Sequence, residues 1–170
     1  MSYKNSLLAK VVWTVIRVWV GWQWVTAGWA KITGPESAVW VGSKAGVAMG
    51  GFLKGALNKS LGIHPDVQTW YAWFIQNVVM PNATVWSYII AFGELLAGVG
   101  LILGFLTVPA LIAAALMNLN YLLAGTVSTN PVLLTLEVIL LFVGPPVWYF
   151  GLDQLVWPRW RTRRGTRVRT

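Results

Sequence analysis

The stretch Thr84–Val127, TVWSYIIAFGELLAGVGLILGFLTVPALIAAALMNLNYLLAGTV, carries a single charged side chain, Glu94, and falls into two apolar windows with little more than Thr107 between them. A helix must contribute about 20 mostly apolar residues to cross a hydrocarbon core about 30 Å thick, and residues 84–106 and 108–127 each meet that length. The few residues between them permit only a tight reversal. Pro109 suits the first turn of the second helix, where its missing N–H has no partner to lose. The stretch therefore predicts an antiparallel hairpin of two membrane-spanning helices.

Working outward, residues 132–151 and 11–30 satisfy the same criterion. The polar turn Gly125–Pro131 makes the third and fourth windows antiparallel neighbours. The first window holds Arg17 and lacks a small-residue cleavage site followed by a polar chain, so it reads as a retained span and not as a signal peptide. The predicted fold class is thus all-α: an integral membrane antiparallel four-helix bundle over residues 1–158, with a long outer loop at 31–83 and a basic cytoplasmic tail at 159–170. Composition agrees. Of 170 residues 56% are hydrophobic and 11% charged, where a soluble domain carries roughly 25% charge.

The 13 Lys and Arg against 5 Asp and Glu give a net charge of +8. Their placement argues for a membrane anchor and not for nucleic acid: Arg159, Arg161, Arg163, Arg164, Arg167 and Arg169 follow directly on the last apolar window. With Lys4 and Lys10 they put eight basic residues on the side of the termini, against Lys31, Lys44, Lys54 and Lys59 on the other. Both termini are therefore expected in the cytoplasm. The loop 31–83 is too long and too apolar for a plain connection. It predicts two short interfacial helices lidding the bundle, the second over 67–79 with Asp66 as its N-cap and Pro81 as its end. Trp29, Trp40, Trp70, Trp73 and Trp86 would form an outer aromatic belt, and Trp148, Trp157 and Trp160 an inner one.

The absence of cysteine removes disulfides, thiolate nucleophiles, Cys-ligated zinc and iron–sulfur clusters. The one histidine, His64, sits beside Pro65 and reads as a turn residue. Neither a metal-ligand cluster nor a nucleotide loop is expected. Ionisable groups at membrane depth cost at least about 2.5–3.5 kcal/mol each, so they turn inward and find partners. Three stand in the windows: Arg17, Glu94 and Glu137. At 1.5 Å per residue Arg17 lies about 9 Å and Glu94 about 18 Å from the same edge, a gap that an extended arginine and a glutamate can close. Gln23, Asn118 and Asn120 fall near the depth of Glu94. The 4-3-4-3 spacing of Arg17, Gly21, Trp24, Gly28 and Lys31 places them on one stripe of the first helix, and Gly93, Ala97, Gly100 and Gly104 make a small-residue seam on the second. Two readings fit this polar layer. One is a satisfied network that fixes helix register. The other is a site where a carboxylate and amides bind and protonate the head group of a lipid-soluble redox carrier.

The series Arg17…Gly21-Trp22…Ala27-Gly28-Trp29…Lys31-Ile32, with Gly93-Glu94-Leu95…Gly98 and Gly104-Phe105-Leu106-Thr107, resembles the DoxX family of small bacterial and archaeal membrane proteins. Gly51-Phe52-Leu53-Lys54-Gly55, His64-Pro65-Asp66, Pro81-Asn82-Ala83 and the turn Ala124–Pro131 are similar to the branch related to the DoxD-type subunit of thiosulfate:quinone oxidoreductase. The resemblance implies a four-helix subunit in the cell membrane of a prokaryote, with a partner protein and quinone-linked chemistry in which thiosulfate is coupled to tetrathionate. It carries over Arg17, Lys31 and Glu94 as family-patterned polar positions. On this reading Glu94 and Arg17 are catalytic, and Gln23, Lys31, Asn118, Asn120 and Glu137 bind substrate or quinone. The alternative is a non-catalytic accessory subunit packed against a larger respiratory or photosynthetic complex.

Overall fold

The structure is a computed structural model and describes residues 6–155; the readings for Lys4, Trp157, Trp160 and the arginine tail lie outside the described residues. Regular structure among the described residues is helical throughout. Helix α1 runs Leu7–Thr33 and starts where the Ser6 hydroxyl accepts from Ala9 N at 3.1 Å, which satisfies one of the donors a helix start leaves free. Arg17, Val20, Gly21, Trp24 and Gly28 are its buried residues, on the stripe that the spacing predicts.

That stripe packs along α5, Ala83–Leu103, in antiparallel register. The approach is close enough that a Cβ added at Gly28 would meet Leu95 N at 2.5 Å and Ala91 O at 2.9 Å, and one at Gly98 would meet Val25 N at 2.5 Å. The seam differs from the predicted one. Ala91, Glu94, Gly98 and Leu101 are buried in α5 and face α1, whereas Gly93 and Gly100 look towards Met117 and Ala110 of α6. Small residues thus thin α5 on two faces, so that helices approach it from both sides.

Helix α6 spans Thr107–Leu123 and α7 Asn130–Val143. Pro109 lies in the first turn of α6, and Pro131 in the first turn of α7. The window 132–151 is not one helix: Gly144, at φ 79°, ends α7, and Pro145–Trp148 form a single 3-10 turn, because consecutive prolines offer no N–H for helical continuation. Val20, Trp24, Leu101, Leu111, Leu140 and Val147 form the centre of the core shared by these helices.

The segment 31–83 holds three helical pieces where two are predicted: α2 (Ser37–Trp40), α3 (Val47–Asn58) and α4 (Thr69–Phe74). Gln68, not Asp66, occupies the N-cap position of α4, and no side chain caps it. Pro81 does not end the helix. A π-turn at Ile75–Val79 and a 3-10 turn at Met80–Asn82 carry the chain into α5, shifting the hydrogen-bond register so that the proline ring meets no carbonyl it must displace. The result is one helical run, Thr69–Leu103, 35 residues long with mean hydropathy 1.8. Among the described residues it alone is both long and apolar enough to cross a membrane; α6 and α7 are apolar but shorter. Met49, Leu53, Ala56, Val67, Tyr71 and Ile75 gather in a second core over the far end of the helices.

Candidate functional site

Buried ionisable groups cluster in two places, and neither holds the pair that depth alone suggests. Arg17 and Glu94 do not meet. Arg17, 1% exposed, donates from Nη1 to Val147 O at 3.0 Å and from Nη2 to Phe150 O at 3.0 Å. Those carbonyls are free because no regular helix continues past the 3-10 turn Pro145–Trp148 to supply them with backbone donors. Gly104, at φ 62°, lies against the guanidinium, where any side chain would collide with it. Asp153 completes this joint: its two oxygens accept from Leu106 N at 2.8 Å and Thr107 N at 2.9 Å, placing an anion at the start of α6 where the helix dipole favours one.

Glu94, also 1% exposed, pairs with Lys31 instead, Oε2 to Nζ at 2.6 Å. The Tyr121 hydroxyl donates to Glu94 Oε1 at 2.5 Å. The two residues sit on neighbouring helices, Lys31 in the last turn of α1 and Glu94 well inside α5, and the flexible lysine stem spans the difference in depth. Lys31 Nζ also stands 5.0 Å from the Trp40 ring, so Trp40, expected as a belt anchor, belongs to this cluster. One turn deeper, Glu137 is fully buried and accepts from Trp24 Nε1 at 2.7 Å and from Asn118 Nδ2 at 2.9 and 2.8 Å.

Helix α6 links the two carboxylates. Asn118 and Tyr121, three residues apart, share one face and serve Glu137 and Glu94 respectively. Asn120 lies off that face: it is exposed, donates to Leu116 O and accepts from Tyr71 Oη at 2.8 Å. Two positions from Asn118 is roughly 200° around a helix, which removes Asn120 from the site.

Over the Lys31–Glu94–Tyr121 cluster lies a cavity of about 520 Å³. Gln23 and Asn118 line it, with Trp40, Met49 and Phe52 from the α2–α3 segment as apolar wall and the Thr126–Asn130 turn at its edge. Ser128 holds φ 40° in that turn, a left-handed conformation uncommon for a residue with a Cβ. Of the expected site residues, Glu94, Lys31, Gln23 and Asn118 line one cavity; Glu137 stands behind Asn118, while Arg17 and Asn120 lie elsewhere. Sequence reasoning missed Tyr121 and the bond from Trp24. The Asn118/Tyr121 spacing was the available signal for the first.

Apolar helices closed over buried carboxylates, with one run long and apolar enough to cross a bilayer, are consistent with a helical membrane protein. The sequence profile of the DoxX family matches residues 12–127, and the chain belongs to that family, whose members are membrane proteins linked to quinone-related oxidoreductase subunits. No match was found among curated proteins or among solved structures.

Proposed function

We propose that the chain is a multi-pass membrane subunit of a quinone-linked oxidoreductase, an antiparallel four-helix bundle whose cavity receives the head group of the lipid-soluble carrier. The observation that carries this reading is the Lys31–Glu94–Tyr121 cluster opening onto that cavity. Its size is in the range of small-molecule sites, and its walls are apolar with a few convergent polar groups, as such sites are. Polarity supports the membrane assignment. Val15, Trp19, Ile89, Leu96, Leu116 and Phe142 point outward from the four long helices while Arg17, Glu94, Asn118 and Glu137 are buried, the reverse of a water-facing surface. Lys31 is neutralised within the protein, which strengthens the bias of basic residues towards the side of the termini and favours both ends in the cytoplasm.

A bound quinone supplies a carrier that takes up two electrons and two protons. Lys31, with N–H groups beyond the one given to Glu94, offers a donor to an entering carbonyl oxygen. Glu94 and Tyr121 share a short hydrogen bond along which a proton can be held and passed. Trp40, Met49 and Phe52 give the cluster an apolar wall, which lowers the local dielectric and strengthens these interactions. The resemblance in the loops extends the reading to thiosulfate, two anions losing two electrons as their sulfurs join in tetrathionate. Lys31 is already matched by Glu94, so the site suits an uncharged carrier better than an anion, and we assign thiosulfate to a partner subunit.

Titration of the purified chain in lipid nanodiscs with decylubiquinone tests the reading. Saturable binding, weakened about tenfold in Glu94→Gln, is expected; no saturable binding overturns it. The open glycine face of α3, where Cβ atoms at Gly51 and Gly55 would meet nothing, favours a second reading as an accessory subunit docked on a larger complex. Co-migration with such a complex on native gels, together with no quinone binding, selects it.

A further inference from the structure

Resting on the quinone reading, we infer that the carrier enters the cavity sideways from the outer leaflet, through the seam between α1 and the Thr126–Asn130 turn that leads into α7, and that its chain stays in that seam once the ring is bound. Three of the residues that line the cavity are exposed: Thr26 on α1, and Ser128 and Thr129 on the turn. They mark two lips, with half-buried Gln23 behind the first and half-buried Asn130 behind the second. Just beneath, Trp24 Nε1 donates to Glu137 Oε1 at 2.7 Å and pins α1 to α7. Beyond that bond, towards the outer end, no hydrogen bond joins α1 to α7 or to the turn among the described residues. The other sides are closed. Helices α1 and α5 touch backbone to backbone at Gly28 and Gly98. The roof made by α2 and α3 is tied down on one flank by Ser87 Oγ, which donates to Trp40 O at 2.6 Å, and by Tyr88 Oη, which donates to Val41 O at 2.9 Å; on the other flank Lys59 Nζ donates to Gly125 O at 2.6 Å.

The position of the seam selects what passes through it. Thr26 lies seven residues before Thr33, the last of α1, which is about 10 Å along the helix. On the membrane reading that is hydrocarbon depth. Trp22 and Trp29, both exposed, flank Thr26 on the same face at spacings of four and three, so this lip is set in a lipid-facing surface. A threonine is tolerated there because its hydroxyl turns back on its own helix and donates to Gln23 O at 2.9 Å. Short side chains on both lips leave room that residues as large as the flanking tryptophans would fill. Neither lip carries a charge, so a charged head group finds no ionic partner in the opening. An uncharged ring on an aliphatic chain meets apolar surface and neutral hydroxyls, and its chain never has to leave the lipid. The substrate class that fits is therefore an uncharged, chain-bearing quinone drawn from the bilayer.

Because the chain has no cysteine, a single thiol reports on the seam alone. Thr26→Cys and, as a control, Val15→Cys are modified in detergent with pyrene maleimide, returned to nanodiscs as full chains and titrated with decylubiquinone. Val15 is exposed on the same face of α1 three turns, about 16 Å, nearer the inner end, so it carries the same bulk in lipid away from the seam. Labelled Thr26→Cys is expected to bind about tenfold more weakly than wild type or worse, while unlabelled Thr26→Cys and labelled Val15→Cys stay within about twofold. Undiminished binding by fully labelled, folded Thr26→Cys overturns the inference and leaves the quinone reading standing, as does an equal loss in both labelled chains. No saturable binding by wild type overturns both. Thr129→Trp narrows the opposite lip without touching α1 and should reproduce the loss, which keeps the test decisive where the labelled chain does not stay folded. Wild-type affinity in folded Thr129→Trp overturns the inference.

Discussion

The Arg17 joint and the Glu94 cavity bury one strongly charged group each to the same degree, but they use it differently. Arg17 is held by two backbone carbonyls against two glycines, Gly104 and Gly151, with no room beside it. Glu94 has two side-chain partners, a cavity above it and, one turn away, an acceptor with no donor. A buried charge whose neighbours are backbone and packed glycine fixes geometry. One whose neighbours are titratable side chains around open space can exchange protons and partners. The difference lies in the surroundings and not in the charge.

Breaking the seam that both regions share should produce the largest effect. Gly98→Ala forces a Cβ into Val25 N and Gly21 O, backbone atoms that cannot yield as a side chain would. The expected cost is about 3 kcal/mol, read as a large fall in thermal unfolding temperature in detergent, with quinone binding lost in step. An unchanged unfolding temperature would mean that α1 and α5 pack less tightly than described.

Arg17→Met separates the two regions. It strands the carbonyls of Val147 and Phe150 and should cost about 2–3 kcal/mol, while affinity for decylubiquinone stays within about twofold of wild type. A variant of normal stability with impaired binding would make Arg17 part of the binding site and reverse the comparison. Glu94→Gln should show the opposite pattern. The amide still accepts from Tyr121, and Lys31, 17% exposed, can turn towards solvent, so the stability loss should be only about 1 kcal/mol. Unfolding scans beside quinone titrations of both variants give the two-by-two comparison directly.

Much of the helical layout was legible because burial repeats with the helix. The stripe Arg17, Gly21, Trp24, Gly28 follows from spacing alone, and buried carboxylates announce themselves through their cost in an apolar window. The partners were less visible. Those of Arg17 are carbonyls, which every residue has; only the turn at Gly144-Pro145-Pro146 and the irregular chain after it bring them within reach and leave them without backbone donors. Lys31 was read as a boundary charge because a residue number gives the depth of Cα, and its ammonium reaches well beyond that. Tyr121 sat inside an apolar run, where its ring outweighed its hydroxyl. Pro81 failed as a stop signal because the π-turn before it is a tertiary accommodation, with Ile75 and Val79 held in the second core, and no local propensity encodes it.

Asp153 offers the smallest and most local test of the contrast. Its carboxylate caps α6 from the chain beyond α7, accepting from Leu106 N and Thr107 N, and its charge acts on Arg17. Leu106 holds φ 51° at this point, a strained conformation for leucine that the first of these bonds helps to keep. Asp153→Asn retains one acceptor oxygen and loses the second bond together with the charge at the helix start. The expected loss is roughly 0.5–1 kcal/mol. In the Arg17→Met background it should shrink, because the charge interaction is then already gone, and the coupling between the two substitutions measures how far the joint acts as one unit. Strict additivity would show that Arg17 and the α6 cap are separate devices that happen to adjoin, and the closed region of the comparison would then be two structural contacts instead of one.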